Sequence, residues 1–250
     1  MKHQPTKQTI AGRKPVLEAL KAGSQIERIV VLAGVHGKEI DAINNLAAQR
    51  SVQVEEVERH VFRQYAGDVT TQGIVAIALQ RGYATLDDIL EVAGARNQKG
   101  FILLLDEIED PHNLGALIRT AECAGAHGAV IPKHHSASVT TAVTKASAGA
   151  TEHLAIAEVT NLVATIEKLK EMEYWIVGLD GKGDRTYTGV DYKTPIALVV
   201  GNEGKGIRRL VREHCDFLVR IPLFGKIESL NASVAGGLVM FEVARQRTSS

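Results

Sequence analysis

The sequence predicts an α/β protein: a smaller N-terminal α/β domain followed by a larger domain with a mostly parallel sheet. Three observations carry that expectation. Short β-branched apolar runs alternate along the chain with segments whose apolar residues fall at helical spacing. One run, FILLLDEI at 101–108, is apolar at nearly every position, as a strand covered on both faces requires. Two others run into glycine and small polar residues, VVGNEGKGI at 199–207 and IPLFGKIESLNASVAGG at 221–237. A strand that ends this way feeds a loop where backbone must come close to something.

In the first third, a helix at about 14–22 precedes strands at 26–33 (IERIVVLA), 52–57 (VQVEEV) and 73–80 (GIVAIALQ), with a helix at 38–50 between the first two. A unit of roughly eighty residues is large enough to fold alone. Residues 81–85, which include Gly82, read as a joint, so the expected division is 1–80, a linker at 81–85, and 86–250. The second series opens with LDDILEVAGAR, a helix leading to the strand at 101–108. Pro111 then starts a helix through about Cys123, in the first-turn position that proline tolerates. GAVIP (128–132), LAIAEV (154–159), YWIVGLD (174–180), IALVVG (196–201) and FLVRIP (217–222) are expected strands. Helices are expected near 138–147, 161–171 and 207–214, and the chain closes on one from about Asn231 to Arg247. The two glycine-ended loops, about twenty residues apart, can sit side by side on one sheet edge, where open α/β sheets bind ligands.

Composition bounds the class. Hydrophobic residues are 45% and charged residues 23%, ordinary for a soluble globular protein, and aromatics are only 4%, so the core is aliphatic. No apolar run approaches the length that spans a bilayer, and the N-terminus lacks the apolar stretch of a signal peptide. Cys123 and Cys215 have no metal-type spacing and read as buried free thiols of a reducing compartment, the cytoplasm. Basic and acidic residues balance at 29 each, which counts mildly against a nucleic-acid binder but leaves room for a local basic patch.

Elimination narrows the ligand. No window fits the dinucleotide G-x-G-x-x-G, and GNEGKGI lacks the spacing and the hydroxyl of a P-loop. There is no G-x-S-x-G nucleophile elbow. His134 and His135 are adjacent and cannot easily face one metal, no H-x-x-x-H pattern occurs, and no metal is assigned. What remains is a loop pair rich in backbone donors and acceptors, with Asn202, Glu203, Ser229 and Asn231. That suits a neutral or zwitterionic ligand with an adenine and an amino-acid end, held by main-chain hydrogen bonds and aliphatic packing.

At this point a resemblance becomes specific. DPHNLGALIRTAECAGA, VVGNEGKGI and IPLFGKIESLNASVA resemble, in order and spacing over about 150 residues, the three motifs of the SpoU (TrmH) branch of the SPOUT RNA 2′-O-methyltransferases. The N-terminal third, opening IAGRKPVLEAL and ending QGIVAIA, is similar to the L30e-like RNA-binding extension of the subgroup that modifies guanosine in large-subunit ribosomal RNA. The resemblance implies a C-terminal domain threaded into a trefoil knot, a feature no periodicity signals. It also implies S-adenosylmethionine as methyl donor, ribosomal RNA as partner, and a homodimer packed through the C-terminal domains.

Residue by residue, the resemblance makes Arg119 the catalytic arginine, Asn113 its neighbour, and Glu203 a carboxylate that positions arginine or substrate. Gly201, Ile221 and Leu230, with Asn202 and Gly204, become the cofactor contacts. Ser229 and Asn231 would ordinarily be a helix N-cap pair, and by resemblance also face the reacting centre. Arg208, Arg209 and Arg212 read as a solvated basic face, or as phosphate contacts if RNA crosses this edge, with Arg13 and Lys14 doing the same from the first domain. Glu107, Glu109 and Asp110 read as charges favoured near a helix N-terminus. A neutral guanidinium is costly, so Arg119 is expected to act charged, holding the 2′-oxygen and adjacent phosphate. A transfer-RNA enzyme, a drug-resistance ribosomal-RNA methyltransferase and a non-catalytic ribosome-assembly factor remain alternative readings.

Overall fold

The computed structural model describes residues 7–66, 70–79 and 82–248. The first series runs β1 (Lys7–Ala11), α1 (Arg13–Ala22), β2 (Ile26–Leu32), α2 (Lys38–Gln49), β3 (Gln53–Val57), α3 (Arg59–Ala66) and β4 (Ile74–Leu79). The second begins α4 (Leu86–Ala95), β5 (Phe101–Asp106), α5 (Pro111–Cys123), β6 (Gly128–Pro132), α6 (Thr141–Ala146) and β7 (Ala155–Val159). It continues α7 (Leu162–Glu171), β8 (Trp175–Leu179), β9 (Arg185–Thr186), β10 (Ile196–Gly201), α8 (Arg209–Glu213), β11 (Phe217–Arg220) and α9 (Ala232–Thr248). Every expected strand and helix is present. Two elements, β1 and α3, and the two-residue β9 have no counterpart in the expected set. Arg81, at the expected joint, lies outside the described residues.

The chain divides into two compact units, one of residues up to 82 with 139–153, the other of 83–138 with 154–250. In the first, the sheet order is β1-β4-β2-β3, with only β2 and β3 parallel. Alternation along β2 sends Ile29 and Val31 to one face, with α1 and α2, and Val30 to the other, with Phe62 of α3. The segment 139–153, which the sequence boundary left in the larger domain, packs here for identifiable reasons. Thr141 donates its hydroxyl to the Thr9 carbonyl on edge strand β1 (2.9 Å), Ser24 donates to the buried Glu152 carboxylate (2.6 Å), and His153 pairs with Glu18 (2.9 Å). Covering β1 removes an exposed sheet edge.

The second unit holds a seven-stranded sheet in the order β7-β6-β5-β10-β8-β11-β9, with every pairing parallel. Parallel strands need covered faces, and β5 and β10 are buried at every position. Ile102, Leu104 and Val199 pack toward α4, α7 and α8. Val200, on the opposite face, lies against Gly236 of α9. Helix starts are chemically fixed: Thr85 and Asp88 form a capping box on α4, and Asp110 accepts from the His112 N–H (2.9 Å) behind Pro111 on α5. Strand order reverses between β5 and β10, where Asp106 pairs with Gly201. The strands β10 and β11 are separated by β8, yet the loops that follow them line one cleft at the same sheet edge.

Cys215 is half-buried and burial pushes its thiol up to about 12; Cys123 is exposed rather than buried as expected, since it ends α5 at a solvent-facing position. Among the described residues no helix is long and apolar enough to cross a membrane.

His127, buried just before β6, accepts from the Phe101 N–H through Nδ1 (2.9 Å), and its Nε2 faces the side-chain Oε1 of Gln98 (3.0 Å). Burial, then the nearby Arg96 and Arg247 charges, lower its pKa from 6.5 to about 4. The folded ring stays neutral while an unfolded one takes a proton below pH 6.5, so stability is lost as pH falls through that window. Acid titration of folding is expected to show a loss of about 2 kcal/mol between pH 6.5 and 5, above the carboxylate range. His127→Gln, monitored by urea unfolding, is expected to flatten that slope.

Candidate active site

The carboxyl edge of the second sheet gathers its functional groups at the switch point. The Asp106 side chain is fully buried, and Arg208 answers it twice. The Arg208 backbone N–H donates to Oδ2 (2.7 Å), and its Nε and Nη2 reach Oδ1 at 2.7 and 2.6 Å. Arg208 is therefore a structural cation. Its helical companions are also engaged, Arg209 with Glu213 (2.9 Å) and Arg212 with Asp180 (3.1 Å).

The loop after β10 folds back on the strand. Asn202 and Gly206 exchange backbone hydrogen bonds of 3.1 and 2.8 Å. The Asn202 side chain accepts from the Gly204 (2.9 Å) and Lys205 (3.2 Å) N–H groups and donates to the Glu107 carbonyl (3.0 Å). A Cβ on Gly201 would sit 2.4 Å from Gly206 C and Ile207 N, backbone atoms that cannot yield, so only glycine ends this strand. Glu107 itself has φ 59°, which turns the chain out of β5 into α5.

Three expected residues meet in one hydrogen-bonded chain. Asn113, in the first turn of α5, donates its amide to the Glu203 carboxylate. Asn231 donates its side-chain amide to the Asn113 Oδ1 (2.9 Å). The Asn231 Oδ1 in turn accepts from the backbone and hydroxyl of Ser233 (2.9 and 2.6 Å) and the Val234 N–H (3.3 Å), capping α9. The capping role of Asn231 is present, and the helix start fixes which way its amide points toward Asn113 and, through it, Glu203.

Beside this chain lies a cleft of about 160 Å³ with Gly201, Asn202, Glu203, Ile221, Ser229 and Leu230 in its lining. Leu179 and Gly181, at the end of β8, complete it; no motif in the sequence pointed to them, and only the pairing of β8 beside β10 does. The segment 222–230 is exposed throughout, and among the described residues its backbone N–H and C=O groups bond to no other protein group. Open main-chain donors and acceptors against an aliphatic wall match a flat, neutral heterocycle better than a phosphate or metal. Asp106 was also missed, because it closes an apolar run and resembles the first of several loop acids.

Two expected residues stand apart. Gly204 serves the turn as a donor to Asn202 and does not line the cleft. Arg119 is exposed on α5, does not line the cleft, and among the described residues has no carboxylate partner. Six residues along a helix is one and two-thirds turns, so Arg119 points away from the Asn113 face. Lys14 and Arg13 belong to the first unit, where the Arg13 N–H donates to Gln72 Oε1 (3.3 Å).

Both parts of the chain have relatives. Residues 100–241 match the SpoU rRNA Methylase family, and residues 9–84 match the family described as RNA 2′-O ribose methyltransferase substrate binding. YacO of Bacillus subtilis (strain 168), assigned by name to the TrmH family of tRNA/rRNA methyltransferases, is 43% identical over 238 residues, 95% of each chain. The fold is similar to that of AviRb, a SpoU methyltransferase from Streptomyces viridochromogenes solved with AdoMet, at a TM-score of 0.81 and 23% identity over 98% of this chain and 92% of that one. An AdoMet-bound rRNA methyltransferase from Sinorhizobium meliloti is 26% identical at a TM-score of 0.75, covering 96% of this chain and 87% of that one.

Gly201→Ala is expected to displace the 202–206 loop and destabilise the protein by about 2 kcal/mol or more, lowering Tm by roughly 5 °C. Differential scanning calorimetry checks this; an unchanged Tm would show that the loop yields freely.

Proposed function

The chain belongs to the SpoU rRNA methylase family and is an S-adenosylmethionine-dependent RNA 2′-O-methyltransferase; within that activity we propose that its target is a guanosine ribose of large-subunit ribosomal RNA. The observation that supports the site is the open main-chain lining of the 222–230 segment beside the Asn113–Glu203–Asn231 relay. The ribosomal assignment rests on the N-terminal substrate-binding unit, and the transfer-RNA reading stays beside it because the YacO name covers both RNAs.

The bound donor supplies an electrophilic methyl group, which the ribose 2′-oxygen accepts as its proton leaves. The chain's own part is position and charge. The aliphatic side chains of Leu179, Ile221 and Leu230 would pack an adenine, and the backbone of 222–230 would hydrogen-bond it. Glu203, oriented by Asn113, and the hydroxyl of Ser229 stand where a ribose would approach. Arg119 stays charged, stabilising the developing alkoxide and holding the adjacent phosphate. Proton loss goes to phosphate or water.

We read the protein as a homodimer formed through its second unit. On α9, Val234 (52% exposed), Leu238 (42%) and Phe241 (53%) form an apolar stripe at i, i+4, i+7, while Val239, Met240 and Val243 are buried in the fold. A helix apolar on both sides calls for burial on both sides. Phe224 at 98% and Ile227 at 76% exposure continue the stripe into the cleft loop. Arg119 of the same chain does not line the cleft, so in this reading the Arg119 that serves a cleft is the second copy's. The family resemblance further assigns a knotted backbone.

The reading is tested by mapping 2′-O-methylation on ribosomal and transfer RNA from cells with and without this gene. Loss of one ribosomal guanosine mark is expected; loss at a transfer-RNA position alone overturns the assignment. Arg119→Lys is expected to lower kcat by about 100-fold or more with donor affinity unchanged, since a lysine lacks the fork. Substantial activity retained across neutral pH would remove the guanidinium from the mechanism. Leu238→Glu is expected to give monomers in sedimentation velocity and little activity.

A further inference from the structure

The opposite edge of the larger sheet carries a second set of groups that the methylation site does not use. Lys99, Trp175 and Phe217 stand at the amino ends of β5, β8 and β11. Strands of six residues place this edge about 20 Å from the cleft. Two concavities lie here and share Lys99, with volumes of about 490 and 580 Å³.

The first is cationic. Arg96, Lys99 and Lys193 line it, all three are exposed, and among the described residues none has a carboxylate partner. The second is mixed: Tyr174 and Trp175 line it beside Glu173 and the Lys170–Asp216 ion pair (2.7 Å). Trp175, the only tryptophan in the sequence, is 47% exposed there. Its ring packs on Phe217 at 5.3 Å and 36°, and the Arg185 guanidinium lies 4.4 Å from the Phe217 centroid. The result is a layered cation–aromatic stack with one indole still open to solvent.

The edge is also held in place. Arg247, near the end of α9, donates to the carbonyls of Tyr192 (2.9 Å), Lys99 (2.6 Å), Gly100 (2.9 Å) and Thr194 (2.9 Å). One guanidinium therefore fixes both loops that carry Lys99 and Lys193, so their charges need little ordering when a ligand arrives. Protein-docking surfaces are depleted of charge, lysine above all, at their centres. Exposed aromatics interleaved with unpaired cations are instead how proteins hold single-stranded nucleic acid.

We propose that this edge binds a single-stranded stretch of the RNA substrate, stacking a base on Trp175 and holding phosphates with Arg96, Lys99 and Lys193. The proposal rests on the RNA reading above and names a second contact region for the same substrate.

The sole tryptophan makes the test direct. Full-length protein is titrated with single-stranded oligouridine of about twelve nucleotides, following tryptophan emission and, in parallel, anisotropy of labelled RNA. Saturable quenching that weakens with salt is expected. Trp175→Ala is expected to weaken binding roughly tenfold. The triple variant Arg96→Gln, Lys99→Gln, Lys193→Gln is expected to reduce the salt slope by about two, for three lost phosphate contacts on a single strand. Donor binding by calorimetry should be unchanged in both variants, which separates a local effect from misfolding. Anisotropy showing bound RNA with unaltered tryptophan emission, or a triple variant with unaltered affinity and slope, overturns the proposal while leaving the RNA reading intact. Failure of oligouridine and ribosomal RNA alike to bind overturns both. Trp175→Ala that changes sedimentation but not RNA affinity makes the surface a protein interface, and quenching reproduced by inorganic phosphate alone makes it a free-anion site; either result overturns it.

Discussion

The buried Asp106 carboxylate at the end of interior strand β5 constrains the rest of the cleft-bearing sheet edge. An unpaired charge there would cost several kcal/mol, so the chain must bring a cation to it. It brings Arg208, whose backbone N–H and guanidinium both close on the carboxylate, and this locks the segment after β10 to the end of β5. The loop between them then has little freedom. Asn202 is drawn onto the Glu107 carbonyl, Gly201 must accept backbone at van der Waals limits, and Glu203 is left facing Asn113. The cleft is thus a consequence of one ion pair at the point where strand order reverses, the place where open parallel sheets bind ligands.

Much of this was legible in the sequence because it is local. Pro111 and Asp110 set the start of α5, and the apolar run at 101–106 could only be a buried strand. What escaped was weakly patterned or non-local. β1 (KQTIA) is an edge strand with a polar start and shows no clear period, while α3 has Val61, Phe62, Tyr65 and Ala66 at helical spacing but is only eight residues long, too short for that spacing to stand out. The packing of 139–153 on the first unit depends on Thr141, Glu152 and His153 meeting partners more than 120 residues away in sequence, which no spacing announces. The site divided the same way. Motif resemblance named Asn113, Glu203 and Asn231, and the structure joins them across separations of 90 and 118 residues. It could not tell that Arg208 is occupied internally, nor that Gly204 serves the turn.

The exposed position of Arg119 belongs with the exposure of the 222–230 segment and the stripe on α9. Among the described residues each is a feature left open: a charge without a carboxylate partner, main-chain groups without bonds to protein, and apolar side chains in water. A ligand in the cleft would answer the second, and on the dimer reading proposed above a second copy would answer the third. The cost of leaving them open in the free monomer is small for exposed groups, since water satisfies the polar ones. The gain on closure is correspondingly available for binding.

Charge distribution resolves the apparent conflict between a net charge of zero and an RNA substrate. The three arginines at 208–212, the most conspicuous basic cluster in the sequence, are neutralised by Asp106, Glu213 and Asp180 and add little to an external field. Among the described residues, the cations left without carboxylates include Arg119 on α5 and the Arg96, Lys99 and Lys193 group at the opposite sheet edge. At physiological ionic strength charges more than about 8 Å apart are largely screened from one another. Phosphates therefore respond to such local groups and hardly at all to the balance of the whole chain. A protein can be neutral overall and still hold an RNA strand if its compensating acids are used internally, beside the arginines that do not face the ligand.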